Sequence, residues 1–196
     1  PLPAPRSTAE LVLAPAQRAD LILDVTGPIA LDMQSRQGLY RLADIDAKGT
    51  NADRQTGPIL PLAPHGLPKP GNPMQHQTLT MMGGAMGGRH GGDNIWAFNN
   101  VSDLQGDPFG SFQNGETVRI TFANDTSFPH GIHLHGHHFY EVDENGALGN
   151  LRDTTLVNAG ESRDVICVFD NSGRWLLHCH MLSHAVGGMR TWVNVA

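Results

Sequence analysis

Apolar residues recur at every second position in short runs separated by turn-forming residues, with no sustained helical spacing anywhere in the chain. In the first 46 residues the alternation picks out Leu21, Leu23 and Val25, then Ile29, Leu31 and Met33, then Leu39, and predicts short strands. Three such strands are near the minimum for an independent sheet, so their partners are expected upstream of Pro1. From Asp46 to Gln75 the chain is rich in proline and glycine and poor in periodic apolar residues, as in an interdomain connection. Alternating runs then return as HQTLTMM, NIWAFNN, ETVRITFAN, HLHGHHFYEV, SRDVICVFD, GRWLLHCH and MRTWVNV, with Val118, Ile120 and Phe122 on one face of the third. The turn pairs Asn114-Gly115, Asn145-Gly146 and Ser172-Gly173 fall between them. This spacing predicts an all-β, Greek-key sandwich or barrel. The expected organisation is the end of one β domain over residues 1–46, a connection over 47–75 and a second β domain over 76–196. Residues 81–92 hold too much glycine for a strand and are expected to form a mobile loop.

Composition narrows the picture. A chain of 196 residues can bury one well-packed core with part of a second domain beside it. The 23 glycines and 13 prolines, with only 16% charged residues, favour a turn-rich β protein over a helical bundle. A net charge of -6 with scattered Lys and Arg offers no basic field for a phosphate backbone, which argues against nucleic acid as a partner. No segment approaches the roughly 20 apolar residues of a membrane span, and any export signal is expected to lie outside this chain. Two cysteines, Cys167 and Cys179, are too few for a disulfide framework, and none is expected.

The chemistry is concentrated in histidine. Of eleven histidines, eight fall between His130 and His184, in two tight groups. The first is His130-Gly-Ile-His133-Leu-His135-Gly-His137-His138, and the second is His178-Cys179-His180 followed by His184 and Met189. Because strand side chains alternate faces, His178 and His180 point one way and Cys179 the other, so one tripeptide can serve two metal sites. A thiolate with two imidazoles and a weak thioether is the ligand set of a blue-copper electron-transfer centre. Cys179, His184 and Met189 supply three of those donors from one loop, and His130, which stands outside the HxH pair, is the best candidate for the fourth. His133, His135, His178 and His180 remain as two HxH pairs, which alone would suit copper, zinc, iron or nickel. Their fusion to the Cys/His/Met loop selects copper.

These two groups, HxxHxH and HCHxxxHxxxxM, in order and in register, resemble the last cupredoxin domain of the multicopper oxidases, a family that includes laccases and cuprous oxidases. The resemblance covers residues 76–196, and the opening LAPAQRADLILDV is similar to the final strands of the family's middle domain. It implies type 1 copper ligands His130, Cys179, His184 and Met189, a type 2 ligand His133, and type 3 ligands His135, His178 and His180, with Cys179 and His184 carrying the electrons. It further implies a small reductant (a phenol, an aromatic amine or Cu(I)), dioxygen as acceptor, and a periplasmic or secreted setting. Many members have proline directly after the first histidine, where this chain has Gly131 and places Pro129 before it; the ligand spacing is unchanged. Family members complete the oxygen-reducing cluster with four more histidines from two HxH motifs in the first domain. His65, His76 and His90 are isolated and cannot replace them. The chain is therefore expected to hold half a cluster and to need the missing N-terminal domains or a partner chain.

Other residues have plainer readings. His137 and His138 are expected to be hydrogen-bonding or surface residues rather than ligands. Cys167, in the apolar run VICVF, reads as an inert buried thiol, and Trp96, Trp175 and Trp192 as core residues. Met74, Met81, Met82 and Met86 read first as methionines of a flexible loop, and second as a soft thioether surface for Cu(I). Two functional classes compete: an oxidase that reduces dioxygen, and an electron-transfer or copper-binding cupredoxin without oxygen chemistry. The HxH pairs favour the oxidase, because a simple carrier has no use for four imidazoles beyond its type 1 set.

Overall fold

The computed structural model describes residues 4–35, 37–46, 48, 57–84 and 95–196. The chain divides into two compact units, residues 19–61 and residues 4–18 together with 62–196. In the smaller unit, β1 (Ile29–Ser35) pairs antiparallel with β2 (Gly38–Ile45), with an irregularity between Leu31 and Asp32. The alternation at Leu21, Leu23 and Val25 does not become a strand. A strand needs a neighbouring strand for its backbone ladder, and among the described residues no strand is paired along this segment.

The larger unit is a Greek-key sandwich. One sheet is built from β5 (Gly110–Phe112), β7 (His130–Leu134), β10 (Thr154–Val157), β12 (Gly173–Cys179) and β13 (Arg190–Val195) in the order β10-β7-β12-β13-β5. The other contains β3 (Gln75–Gly83), β4 (Trp96–Phe98), β6 (Glu116–Asn124), β8 (Phe139–Val142), β9 (Leu148–Arg152) and β11 (Ser162–Phe169) in the order β4-β3-β6-β11-β8-β9. The pairs β3/β6 and β5/β13 run parallel, as crossing connections require, and the rest are antiparallel. The five-residue helix α1 (Leu182–Val186) interrupts the return from β12 to β13. Inward positions of both sheets form one core, in which Val118, Ile120 and Phe122 of β6 are fully buried as their alternation predicts and Phe112 stacks on Phe169 at 4.0 Å. Among the described residues, no helix is long and apolar enough to cross a membrane.

Three departures from the sequence expectation have local causes. The run HLHGHHFYEV is two strands in different sheets, β7 and β8, because Gly136 turns the chain in the left-handed region (φ 69°). A Cβ at Gly136 would lie 2.4 Å from the Trp175 ring, so glycine is required by conformation and by space. Met81 and Met82, which end the run HQTLTMM but also open the span expected to be a loop, belong to β3 and pair with Phe98 and Ala97, and Met81 is fully buried. Met86, His90 and most of the glycine-rich run lie outside the described residues. Finally, residues 4–18 belong to the larger unit: Ala14 is buried, Pro15 lies over Gly131, and the Gln17 side-chain amide donates to the Thr154 carbonyl at 2.7 Å.

Gly136→Ala should lower the stability of the chain by about 2 kcal/mol or more, since the methyl group meets an indole ring and the backbone is strained. Urea unfolding measures it; a loss under about 0.5 kcal/mol, the usual range for a harmless surface change, would contradict the tight turn.

Candidate metal centre

The two histidine groups meet because of strand register. Antiparallel β7 and β12 set His133 opposite His178 and Ile132 opposite Cys179. Side chains directly opposite each other share a face, so His133 and His178 lie on one side of the sheet and Cys179 lies on the other, with the core. His130 lies on β7 an even number of residues from Ile132, and so reaches the Cys179 side. His184 comes from α1, and the loop after it is folded back by hydrogen bonds from the Met189 N–H to the His184 carbonyl (2.9 Å) and from the Cys179 N–H to the Met189 carbonyl (3.0 Å).

On the core side, the Cys179 sulfur lies 3.6 Å from His130 Nδ1 and 3.8 Å from His184 Nδ1, and the two nitrogens are 3.1 Å apart. A point equidistant from these three atoms lies about 2.0 Å from each, close to the bond lengths of a first-row metal to nitrogen and sulfur. His130 Nε2 is engaged with the Thr126 hydroxyl at 2.8 Å. With Nε2 as the donor, Nδ1 keeps its lone pair for the centre of the triangle. Burial and the neighbouring His184 lower the pKa of His130 from 6.5 to about 4, so this imidazole is neutral at pH 7, as a ligand must be. Burial pushes the Cys179 thiol up to about 11, against hydrogen bonds from the Met181 and Gly131 backbone amides that favour the thiolate. A cation in the triangle is what would tip that balance, since a coordinating thiol is deprotonated outright. The donor set therefore fits copper. Met189 is fully buried in the same loop.

On the other face, His133, His135 and His178 bring ligand nitrogens within 4.8 Å of one another. His135 Nε2 and His178 Nε2 are 3.1 Å apart. The outward nitrogens are occupied: His133 Nδ1 donates to the Asp153 carbonyl (2.9 Å) and His178 Nδ1 to the Cys179 carbonyl (2.9 Å). Both rings thus turn an unprotonated Nε2 to the group, an arrangement that fits a shared proton or a shared cation. His180 completes the cluster of rings, 5.5 Å from His133 and 5.4 Å from His178 between centroids, although its nitrogens lie outside the tight trio.

The remaining candidates stand apart. His137 is buried against Phe169 and Trp175 and donates through Nδ1 to the His135 carbonyl at 3.3 Å. Cys167 is buried, its thiol pKa raised by burial, with Sγ 3.4 Å from the His138 carbonyl. His76 bonds to Thr121, away from both groups. The residues that sequence reasoning missed are Thr126 and Asp153, which orient His130 and His133, and Trp96, which lies on His184. Nothing in a lone threonine or aspartate marks such a role, and the sequence marks Trp96 only as a core residue.

A Greek-key sandwich with a Cys/His/His triangle on one face of a strand and an imidazole cluster on the other defines a metal-binding cupredoxin. The family model described as multicopper oxidase matches residues 71–196, and the chain belongs to that family, whose metal is copper. It is 39% identical over 77 residues to multicopper oxidase MmcO of Mycobacterium tuberculosis, covering 39% of this chain and 15% of that protein. It is 39% identical over 100 residues to copper resistance protein A of Escherichia coli, covering 51% of this chain and 16% of that protein. The crystal structure of Lac15 from a marine microbial metagenome superposes with a TM-score of 0.75 at 47% identity, over 95% of this chain and 44% of that one. The chain thus spans under half the length of the relatives it matches.

The buried imidazoles give the metal-free chain a pH dependence. Burial is the leading cause of the lowered pKa values of His130, His133, His178 and His184. A depressed folded pKa contributes stability that is complete above the unfolded value near 6.5 and is lost as the pH falls below it. For His130 the loss runs from about 6.5 down to about 4 and amounts to roughly 3 kcal/mol. Urea midpoints of the metal-free chain should fall through that window; flat midpoints would contradict it.

Proposed function

We propose that His130, Cys179, His184 and Met189 hold a type 1 copper, His133 a type 2 copper, and His135, His178 and His180 type 3 coppers, in an oxidase that takes single electrons from a small donor and reduces dioxygen. The observation that carries this reading is the position of Cys179 between His178 and His180. One peptide bond on either side connects the thiolate triangle to the imidazole cluster, so a short covalent path joins the two groups. A simple electron carrier needs the triangle alone. Copper, when bound, supplies one-electron redox chemistry, so that four electrons and four protons convert dioxygen to two molecules of water.

The chain's own residues do the rest. Burial of His130 and Cys179 excludes water from the triangle and limits rearrangement when the charge changes. Half-exposed His184 offers the nearest edge to an external donor. That donor is a phenol, an aromatic amine or Cu(I), and the protein acts in a periplasmic or secreted setting. The four imidazoles of this chain are too few to fix three metal ions, so the 196-residue chain alone behaves as a copper-binding cupredoxin, and oxygen reduction needs ligands from N-terminal cupredoxin domains or a partner chain.

The copper-loaded chain should hold one copper tightly, show an intense visible thiolate-to-copper band, lose that band in Cys179→Ser, and consume no oxygen in the presence of a reductant. Metal analysis, absorption spectra and an oxygen electrode read these together. A band that survives Cys179→Ser would overturn the type 1 assignment. Three or four tightly held coppers with sustained oxygen uptake would show that the chain is sufficient by itself.

A further inference from the structure

We propose that Trp96 is a positioning residue for His184, and that the turn carrying it clamps the ligand-bearing loop of the thiolate triangle; the inference rests on the type 1 reading above. The two imidazoles of the triangle are oriented by different means. His130 is fixed by the hydrogen bond between its Nε2 and Thr126. Among the described residues, the His184 ring has no such bond: its polar contacts are those of Nδ1 with Cys179 and His130. It stands on a five-residue helix with no buried residue, so nothing in its own element restrains it. Its nearest restraint is Trp96, whose ring lies on the imidazole at 4.3 Å between centroids and 33° between planes and meets His130 edge-on at 5.2 Å, while Phe128 stands edge-on to His184 farther off, at 6.5 Å. An imidazole held against that face can turn Nδ1 to Cys179 but cannot swing away across the indole.

Trp96 is in turn locked to the loop it serves. Its N–H donates to the Gly187 carbonyl at 2.9 Å, and its own carbonyl accepts from the Ser102 hydroxyl at 2.7 Å. Asp103, in the following turn, is bonded there twice: its N–H donates to the Gly188 carbonyl at 2.8 Å, and its carboxylate accepts from Nε of Arg190, the first residue of β13, at 2.6 Å. The close approach depends on the two glycines between His184 and Met189. A Cβ at Gly187 would stand 2.9 Å from Trp96 Cδ1, and one at Gly188, where φ is 110°, would stand 1.9 Å from the Ser102 hydroxyl. The spacing of His184 and Met189 thus leaves room for two residues without side chains, and the clamp occupies that room.

The test uses the whole chain loaded with cupric ion. Trp96→Leu should keep one copper and a thiolate band but shift the band and release copper to a competing chelator about 10- to 100-fold more readily, the usual cost of losing a group that orients a ligand. Trp96→Phe, which keeps an aromatic face, should recover most of the retention. Gly187→Ala, whose backbone (φ -77°) accepts alanine, should displace the indole and weaken retention about tenfold with the tryptophan still present, and it carries the test if Trp96→Leu does not fold. In the metal-free chain, the upfield ring-current shift of the His184 ring protons should vanish in Trp96→Leu. Phe112→Leu, a core change on the far stack with Phe169, supplies the purely structural comparison. Copper retention in Trp96→Leu and Gly187→Ala equal to that of the unaltered chain, or reduced no more than in Phe112→Leu, overturns the proposal. An unaltered chain with no thiolate band overturns the type 1 reading itself and this inference with it.

Discussion

The site depends on one register. Because β7 and β12 run antiparallel with His133 opposite His178, the two histidine groups, far apart in sequence, share two faces of one strand pair. A slip of one residue would turn every side chain of β12 over, sending Cys179 to the imidazole face and His178 into the core. The register is held by the buried alternation of Ile132 and Leu134 against Leu177 and Cys179, all at most 1% exposed. The hydrophobic core and the candidate metal centre are therefore specified by the same pairing, and neither can be altered at this point without the other.

Burial then sets the chemistry of each donor. The Cys179 thiol and the His130 imidazole both sit where charge is penalised, so in the metal-free protein both are neutral. Amides from Met181 and Gly131 are already aimed at the sulfur, and hydrogen bonds at the remote nitrogens of His130, His133 and His178 leave the inward nitrogens bare. The protein supplies lone pairs that converge with no positive group among them. Such an arrangement is costly alone and favourable around a cation, which is the physical sense in which these residues form a site rather than a chance gathering of histidines.

Much of this was legible in the sequence. Period-two alternation marked β3, β4, β6, β11, β12 and β13, and the spacing of the histidine groups marked the residues that the fold brings together. What escaped reading was set by tertiary partners. The break of HLHGHHFYEV at Gly136 follows from the Trp175 ring beneath it, and the continuation of β3 to Gly83, into the span expected to be a loop, from its pairing with β4. Leu21, Leu23 and Val25 alternate correctly yet form no strand, because alternation gives a face but not a neighbour. The short strands β5, β9 and β10 carry no run long enough to show a period. Trp96 read as a core residue, and it is buried; only the fold shows that what it is buried against is His184.

The central claim is that Cys179, His130 and His184 converge on a single copper. X-ray absorption at the copper edge, on the chain loaded with one equivalent, tests it most directly. The account predicts one short sulfur and two nitrogens, at about 2.3 Å or less and about 2.0 Å respectively, with the Met189 thioether at most a longer, weaker contact. A first shell of nitrogen and oxygen alone, with no sulfur, would place the copper on the imidazole face and contradict it.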